Sequence, residues 1–212
     1  AYDGMERFFE KDKIILTGNP VRQGLRNHHI SREEAIRSFG LDPSKKTILI
    51  VGGSLGARTI NNCVMEGLDK IKASGAQFIW QTGKIYIGEA RAAVAQAGEL
   101  PMLHVTDFIS DMAAAYSAAD LIISRAGAGS ISEFCLLQKP VILVPSPNVA
   151  EDHQTKNALA LVNKNAALYI KDAAAKEALL DKAVETVKQP ETLKSLSTNI
   201  AKLAFTDSAN VI

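Results

Sequence analysis

The sequence predicts an α/β fold, a Rossmann-like parallel sheet with helices on both faces. Short apolar runs alternate with helical segments along the 212 residues, and strands that are joined through helices run parallel. Two glycine-rich turns each lie between a strand and a helix, which is the layout of a phosphate site. A hydrophobic content of 47% is sufficient for a sizeable buried core.

The individual elements follow from these alternating patterns. Apolar, β-rich runs predict strands at Lys13–Leu16, Thr47–Val51, Gln77–Gln81, Met102–Val105, Leu121–Ser124, Val141–Val144 and Ala167–Ile170. Helical patterns lie at Ser31–Phe39, Ala57–Ala73, Tyr86–Gln96, Ser110–Ala118, Ser130–Leu137 and His153–Lys164. Two further helices, Ala174–Lys188 and Glu191–Ala204, close the chain, and Pro190 separates them.

Composition excludes several classes of function. The net charge of +1 and the 6% aromatic content give no support to nucleic-acid binding. The four histidines lack ligand spacing and no Asp-x-Asp motif occurs, so we expect neither a metal site nor a cofactor. Cys63 and Cys135 are expected to be small buried hydrophobic residues. We recognise no signal peptide and no membrane-spanning run, so a cytoplasmic protein is the default expectation.

Both ends of the sequence have an unfinished pattern. Ala1–Glu10 is typical of the end of a helix but has no start signal, and Ser208–Ile212 begins an apolar pattern that stops. Frayed termini and a domain cut from a longer protein are both consistent with these patterns.

The stretch from Ser124 to Glu133 predicts a phosphate-binding turn. Gly127 and Gly129 let the backbone approach a ligand, and the helix that follows directs its free N–H groups and positive dipole end at an anion. Glu133 lies about a turn and a half into that helix, where it would repel phosphate but could accept hydrogen bonds from sugar hydroxyls. A nucleotide with a ribose and a diphosphate fits this combination. An NAD site fits less well, because Ser132 stands where the dinucleotide pattern has its third glycine.

The second glycine-rich turn, Gly52–Gly56, has two interpretations. It follows a strand and precedes a helix, as a phosphate turn does, but it also matches the G-x-S-x-G nucleophile elbow of serine hydrolases. In the hydrolase alternative Ser54 is the nucleophile, Asp120 or Asp152 the acid and His153 the base. Against it, the elbow lies on the first strong strand and His153 opens a helix.

Three further loops follow predicted strands. Arg22 leaves the first strand and could contact a phosphate. Phe108–Met112 forms an apolar rim whose backbone groups could hold the edge of a base. Gln154 offers both a donor and an acceptor to sugar hydroxyls, and Asp152 before it is predicted to N-cap the helix.

Taken together, these segments resemble the MurG family of bacterial N-acetylglucosaminyltransferases. The motifs that carry the resemblance are Gly18–Arg22, Gly52–Arg58, Phe108–Met112, Ser124–Glu133 and Glu151–Ala158, in the right order and spacing. The resemblance implies one half of a GT-B glycosyltransferase, in which two Rossmann-like domains face a cleft. Residues 18–212 would be the C-terminal UDP-sugar-binding domain, with its last helix cut short, and residues 1–17 the end of the N-terminal domain and a linker.

The resemblance also implies roles for individual residues. Arg22 and Ser54 would contact the donor diphosphate region. The backbone of Ile109 would hold uracil, and Gln154 would bind the N-acetylglucosamine hydroxyls. The diphosphate turn and the ribose clamp would be formed by the residues at the start of one helix: Ala128, Gly129, Ser130, Ile131, Ser132 and Glu133. No catalytic residue is expected in this chain, because the base would come from the N-terminal domain.

The activity implied by the resemblance is an inverting hexosyl transfer. N-acetylglucosamine would pass from UDP-N-acetylglucosamine to the lipid-linked N-acetylmuramyl-pentapeptide, lipid I to lipid II, in peptidoglycan synthesis. The acceptor would bind through the other domain, and the full-length protein would be peripheral on the cytoplasmic face of the inner membrane. This chain alone would bind the donor weakly and turn nothing over. A stand-alone nucleotide-binding module and the serine hydrolase are the alternatives.

Overall fold

The computed structural model describes residues 10, 12, 19, 21, 23–26, 30–53, 55–149 and 152–205. The predicted strand Lys13–Leu16 and both chain ends, apart from Glu10, lie outside these residues, as do Arg22 and Ser54. Among the described residues no helix is long and apolar enough to cross a membrane.

The described residues form a parallel sheet, as predicted. The strands are β1 (Thr47–Val51), β2 (Gln77–Gln81), β3 (Leu103–Thr106), β4 (Leu121–Ser124), β5 (Val141–Leu143) and β6 (Leu168–Tyr169). Their order is β3-β2-β1-β4-β5-β6, and every neighbouring pair is parallel. This is the doubly wound order, in which the chain moves outward from β1 in both directions.

Helices precede, connect and follow these strands. They are α1 (Gln23–Arg26), α2 (Arg32–Ser38), α3 (Arg58–Glu66), α4 (Leu68–Ala73), α5 (Ile87–Ala97), α6 (Met112–Ala118), α7 (Ala128–Leu136), α8 (His153–Val162), α9 (Ala175–Val187) and α10 (Pro190–Ala201). A short 3₁₀ helix, Asp172–Ala174, leads into α9.

Both faces of the sheet are buried because alternate strand residues point to opposite sides. Leu49 and Ile122 belong to an apolar core that they share with α2, α6, α7 and α8. Ile48, Ile50 and Ile123 belong to a second core, shared with α3, α4 and α9. The helices on both faces were predicted, and the structure confirms them.

The predicted helix Ala57–Ala73 is wrong in one respect, because it is two helices that meet at Gly67. The Leu180 side chain of α9 lies where a Cβ at Gly67 would be, at 2.2 Å from that position. The contact with α9 therefore leaves no room for a side chain at the residue where the two helices meet. The start of α7 also lies earlier than predicted, at Ala128 rather than Ser130.

The two cysteines are buried within helices, as expected. Cys63 lies in α3 and Cys135 in α7, and both are free thiols. Burial raises the pKa of each thiol to about 11, so neither is a reactive thiolate near neutral pH.

The loop after β1 packs backbone against backbone on the end of β2. A Cβ at Gly56 would lie 2.1 Å from the carbonyl oxygen of Thr82, and one at Gly83 would lie 2.4 Å from the nitrogen of Gly56. Both glycines have a positive φ, +82° and +80°. Only glycine satisfies the conformation and the close approach together.

Replacing Gly83 with Ala should therefore destabilise the fold. The new methyl would meet backbone at a φ that L residues rarely adopt, and we expect a loss of about 2 kcal/mol or more in the free energy of unfolding. Urea denaturation measures it. Gly88→Ala in α5 is the matched control, because a Cβ there meets nothing within 4 Å. Equal stability of the two variants would contradict the packing argument.

Candidate functional site

The candidate site lies at the carboxyl ends of the central strands. Val51 of β1 pairs with Ser124 of β4, and Ser124 pairs with Leu143 of β5, so the loops after these strands leave the sheet side by side. Strand order reverses between β1 and β4, which is where open α/β sheets bind ligands. Two adjoining cavities of about 620 Å³ and 230 Å³ lie here.

The start of α7 stands between the two cavities. Ser130, in its first turn, lines both of them, together with Gly53 and Ser124. Within the described part of the chain, the backbone N–H groups of residues 128–130 donate no hydrogen bond, and the N-cap residue Gly127 has no side chain to cap them. Free N–H groups at the positive end of a helix attract an anion.

The side chains of Ile131 and Ser132, two further residues predicted for this turn, do not line the cavities. Ser132 donates from its hydroxyl to the carbonyl oxygen of Ala128 at 3.1 Å, within the helix. Ile131 packs against the apolar core. Neither side chain lines either cavity, and Gly129 is exposed.

The smaller cavity combines apolar and polar side chains, and Glu133 is the one carboxylate among its described lining residues. Phe108, Ile109 and Met112 line it, and Glu133 lies at its side with 8% of its surface exposed. Glu133 Oε2 accepts a 2.7 Å hydrogen bond from the hydroxyl of Tyr116. The Ile109 side chain is buried, whereas its backbone groups make no backbone hydrogen bond among the described residues.

Gln154 lines the larger cavity at the start of α8. Its Oε1 accepts hydrogen bonds from the backbone nitrogens of Ala126, at 3.2 Å, and Ser146, at 2.9 Å. These bonds fix the orientation of the amide, so Nε2 is the atom left to donate elsewhere. Asn157 donates to the carbonyl oxygen of Ala126 at 3.1 Å, which ties α8 to the loop after β4.

Asp152 does not cap α8 in the way predicted. It stands at the N-cap position, but its φ of 52° is left-handed and its side chain makes no capping hydrogen bond. N-cap residues whose side chains cap a helix typically have a non-helical backbone with negative φ. The Asp152 carboxylate instead accepts a 2.6 Å hydrogen bond from the hydroxyl of Thr155.

An ion pair that the sequence did not predict lines the larger cavity. The guanidinium of Arg125, directly after β4, pairs with the carboxylate of Asp172 beyond β6. It also donates to the carbonyl oxygens of Val144 and Pro145, at 3.0 and 3.2 Å. Thr59 of α3 donates to the other oxygen of Asp172 at 2.8 Å. The only available signal was that Arg125 and Asp172 both follow strands at the same edge of the sheet.

The hydrolase alternative loses one of its two candidate acids. Asp120 precedes β4, at the amino edge of the sheet, where it accepts hydrogen bonds from Arg32, Lys46 and the nitrogen of Thr47 at 2.7, 3.1 and 2.8 Å. His153 follows β5 at the carboxyl edge. A four-residue strand alone spans about 13 Å, so Asp120 cannot orient this histidine.

Comparison with known proteins identifies the family. The model of the glycosyltransferase family 28 C-terminal domain matches residues 47–212, which is well over half of the chain. The chain belongs to this family. Among the described residues, no cluster of three or more His, Cys, Asp or Glu side chains could hold a metal ion in this family 28 domain.

Curated relatives are longer than this family 28 chain. It is 70% identical, over its full length, to a protein of Bacteroides fragilis named UDP-N-acetylglucosamine–N-acetylmuramyl-(pentapeptide) pyrophosphoryl-undecaprenol N-acetylglucosamine transferase, and it spans 56% of that protein. A relative of the same name from Parabacteroides distasonis is 58% identical over the whole chain, which spans 57% of it. The chain therefore spans little more than half the length of these relatives.

Solved structures share the fold. The crystal structure of Acinetobacter baumannii MurG matches with a TM-score of 0.72 and 27% identity, over 93% of this chain and 55% of that one. A glycosyltransferase from Rickettsia africae matches with a TM-score of 0.68 at 15% identity, over 95% of this chain and 56% of that one. The second match shows the fold alone. The predicted half of a GT-B enzyme is thereby confirmed as a fold class.

Removal of Asp172 should destabilise the domain, because the partly buried Arg125 guanidinium loses its carboxylate. We expect Asp172→Ala to lower the free energy of unfolding by about 1–3 kcal/mol, measured by urea denaturation. Glu185→Ala is the matched control, since Glu185 pairs with Lys182 on the exposed surface and should change stability by about 0.5 kcal/mol or less. If both variants lose the same free energy of unfolding, the Arg125–Asp172 pair stabilises the fold no more than an exposed ion pair does.

Proposed function

We propose that this chain forms the donor-binding half of an inverting N-acetylglucosaminyltransferase. The donor is UDP-N-acetylglucosamine, and the acceptor is the lipid-linked N-acetylmuramyl-pentapeptide of peptidoglycan synthesis. The names of relatives up to 70% identical support this assignment. The observation that carries it is the position of Ser130, at the start of α7 and on the wall of both cavities.

The diphosphate of the donor would bind at the start of α7. The N–H groups of residues 128–130 would donate to its oxygens, and the helix dipole would favour its negative charge. Ser130 adds a hydroxyl beside them. Ser54 and Arg22, which lie outside the described residues, would contact the same region.

The nucleoside would occupy the smaller cavity. Glu133 would accept hydrogen bonds from the ribose hydroxyls, which suits a carboxylate and excludes a second phosphate from this position. Uracil would lie along the Phe108–Ile109 segment and bond to the backbone of Ile109. The apolar side chains of Phe108 and Met112 would pack against the faces of the base.

The N-acetylglucosamine would occupy the larger cavity, which is wide enough for a hexose with an acetamido group. Gln154 Nε2 would donate to a sugar hydroxyl, while Oε1 stays bonded to two backbone nitrogens. The polar loop that holds Ser146 and Asn148 lines the same cavity.

In the reaction, the C4 hydroxyl of the acceptor would attack the anomeric carbon of the donor with inversion, and UDP would leave. Negative charge then grows on the diphosphate, where the α7 N–H groups stabilise it electrostatically. The base and the acceptor site would come from an N-terminal domain. In this proposal residues 18–212 would be the donor domain, and residues 1–17 would be a linker and the end of the N-terminal domain. That domain would also bring the protein to the cytoplasmic face of the inner membrane.

Replacement of Glu133 by Ala should weaken UDP binding. The loss of a charge-assisted hydrogen bond to ribose costs about 1.5–3 kcal/mol, and calorimetric titration of the 212-residue chain measures it. Glu191→Ala, at an exposed position in the first turn of α10, removes the same charge and should leave the affinity unchanged. Unchanged UDP affinity in Glu133→Ala, or NAD binding as tight as UDP binding, would contradict the assignment.

Gln154→Glu tests the sugar contact separately. The carboxylate keeps an acceptor for the nitrogens of Ala126 and Ser146 but loses the Nε2 donor, so the sugar loses a hydrogen bond. We expect the ratio of UDP-N-acetylglucosamine affinity to UDP affinity to fall about 3- to 10-fold, because only the sugar nucleotide loses this hydrogen bond. The ratio is the quantity to compare, since the added charge acts on both ligands. A ratio equal to that of the unaltered chain would place the sugar elsewhere.

A further inference from the structure

The Glu133 carboxylate is held by a residue of a neighbouring helix. The Tyr116 hydroxyl donates to its Oε2 at 2.7 Å, and both side chains are buried, with 3% and 8% of their surfaces exposed. Both residues line the smaller cavity. The hydroxyl therefore restrains the carboxylate of Glu133, which is the one carboxylate among the described residues that line this cavity.

Tyr116 is in turn held firmly in place. Its ring packs edge-on against Phe134, with ring centroids 5.9 Å apart and an interplanar angle of 87°. It belongs to α6, whose first turn is capped by the Asp111 carboxylate accepting from the nitrogen of Ala114 at 2.9 Å. The flanking residues Ala113 to Ala115 are buried. This packing leaves the phenol little freedom.

A rigidly held donor suits recognition of a vicinal diol. A carboxylate has about four lone-pair positions, so the bond from Tyr116 can orient it without using all of its capacity to accept hydrogen bonds. A carboxylate oriented before the ligand arrives loses less side-chain entropy on binding than one that is free to rotate. The same argument applies to any sugar whose adjacent hydroxyls approach Glu133.

We propose that Tyr116 is a positioning residue for ribose recognition, acting through Glu133. This inference rests on the proposed role of Glu133 in UDP binding. The loop that would hold the base, Phe108–Ile109, leads directly into α6, so one segment would orient the base and the ribose-binding carboxylate together.

Tyr116→Phe tests the proposal, because it keeps the ring and removes only the hydroxyl. The 212-residue chain is titrated with UDP and with 2′,3′-dideoxyuridine diphosphate, which lacks the diol. We expect UDP affinity to fall about 3- to 10-fold and dideoxy-UDP affinity to change less than about 2-fold. Tyr169→Phe in β6 is the matched control, since the Tyr169 hydroxyl makes no hydrogen bond within the described part of the chain, and it should change neither value.

A purely structural role would give a different result. Suppose that Tyr116→Phe lowers the melting temperature but reduces the affinities for UDP and dideoxy-UDP equally, or changes neither affinity. Either result would overturn the positioning role. Glu133→Ala separates this inference from the proposed function. If Glu133→Ala abolishes the preference for UDP over dideoxy-UDP and Tyr116→Phe leaves that preference intact, only the role of Tyr116 fails. If Glu133→Ala leaves the preference intact, the role of Tyr116 and the ribose-binding role of Glu133 both fail.

Discussion

The parallel pairing of β1 with β4 is the interaction on which the rest of the site depends. Its register joins Ile48 to Leu121 at one end and Val51 to Ser124 at the other, so the loops that follow begin at the same level. From there α3 packs on one face of the sheet and α7 on the other, and a crevice opens between them. A slip of one residue would exchange the two buried faces of a strand, and both apolar cores oppose it.

Close backbone packing then fixes the first of these loops. Gly56 lies against the carbonyl of Thr82, and the side chain of Asn61 reinforces the contact by donating to that carbonyl at 2.8 Å and accepting from the indole of Trp80 at 2.9 Å. The glycine pattern of this turn is thus partly a packing requirement. For this reason the pattern alone could not decide between a phosphate turn and a nucleophile elbow.

The sequence predicted what depends on local patterns. The buried central strands Thr47–Val51 and Gln77–Gln81 have the predicted ends, because continuous apolar runs bounded by polar or glycine residues have a clear length. The break at Gly67 escaped prediction because the apolar pattern continues across it, and the close approach of Leu180 to Gly67 is a contact between distant segments. The Tyr116–Glu133 and Arg125–Asp172 pairs join positions 17 and 47 residues apart, and only the packing of helices and strand order brings them together.

The charges of the larger cavity explain how such a site would serve a leaving group. Arg125 is neutralised by Asp172, and the other charged residue of the described lining is Arg58. In the proposed role, the diphosphate would be contacted by Arg22 and held by the backbone N–H groups and the dipole of α7. Such groups are fixed before the ligand binds and need no reorganisation as charge develops. Because interactions that strengthen in the transition state accelerate a reaction while uniform binding does not, backbone donors that are already in place would favour the departure of UDP in the proposed role.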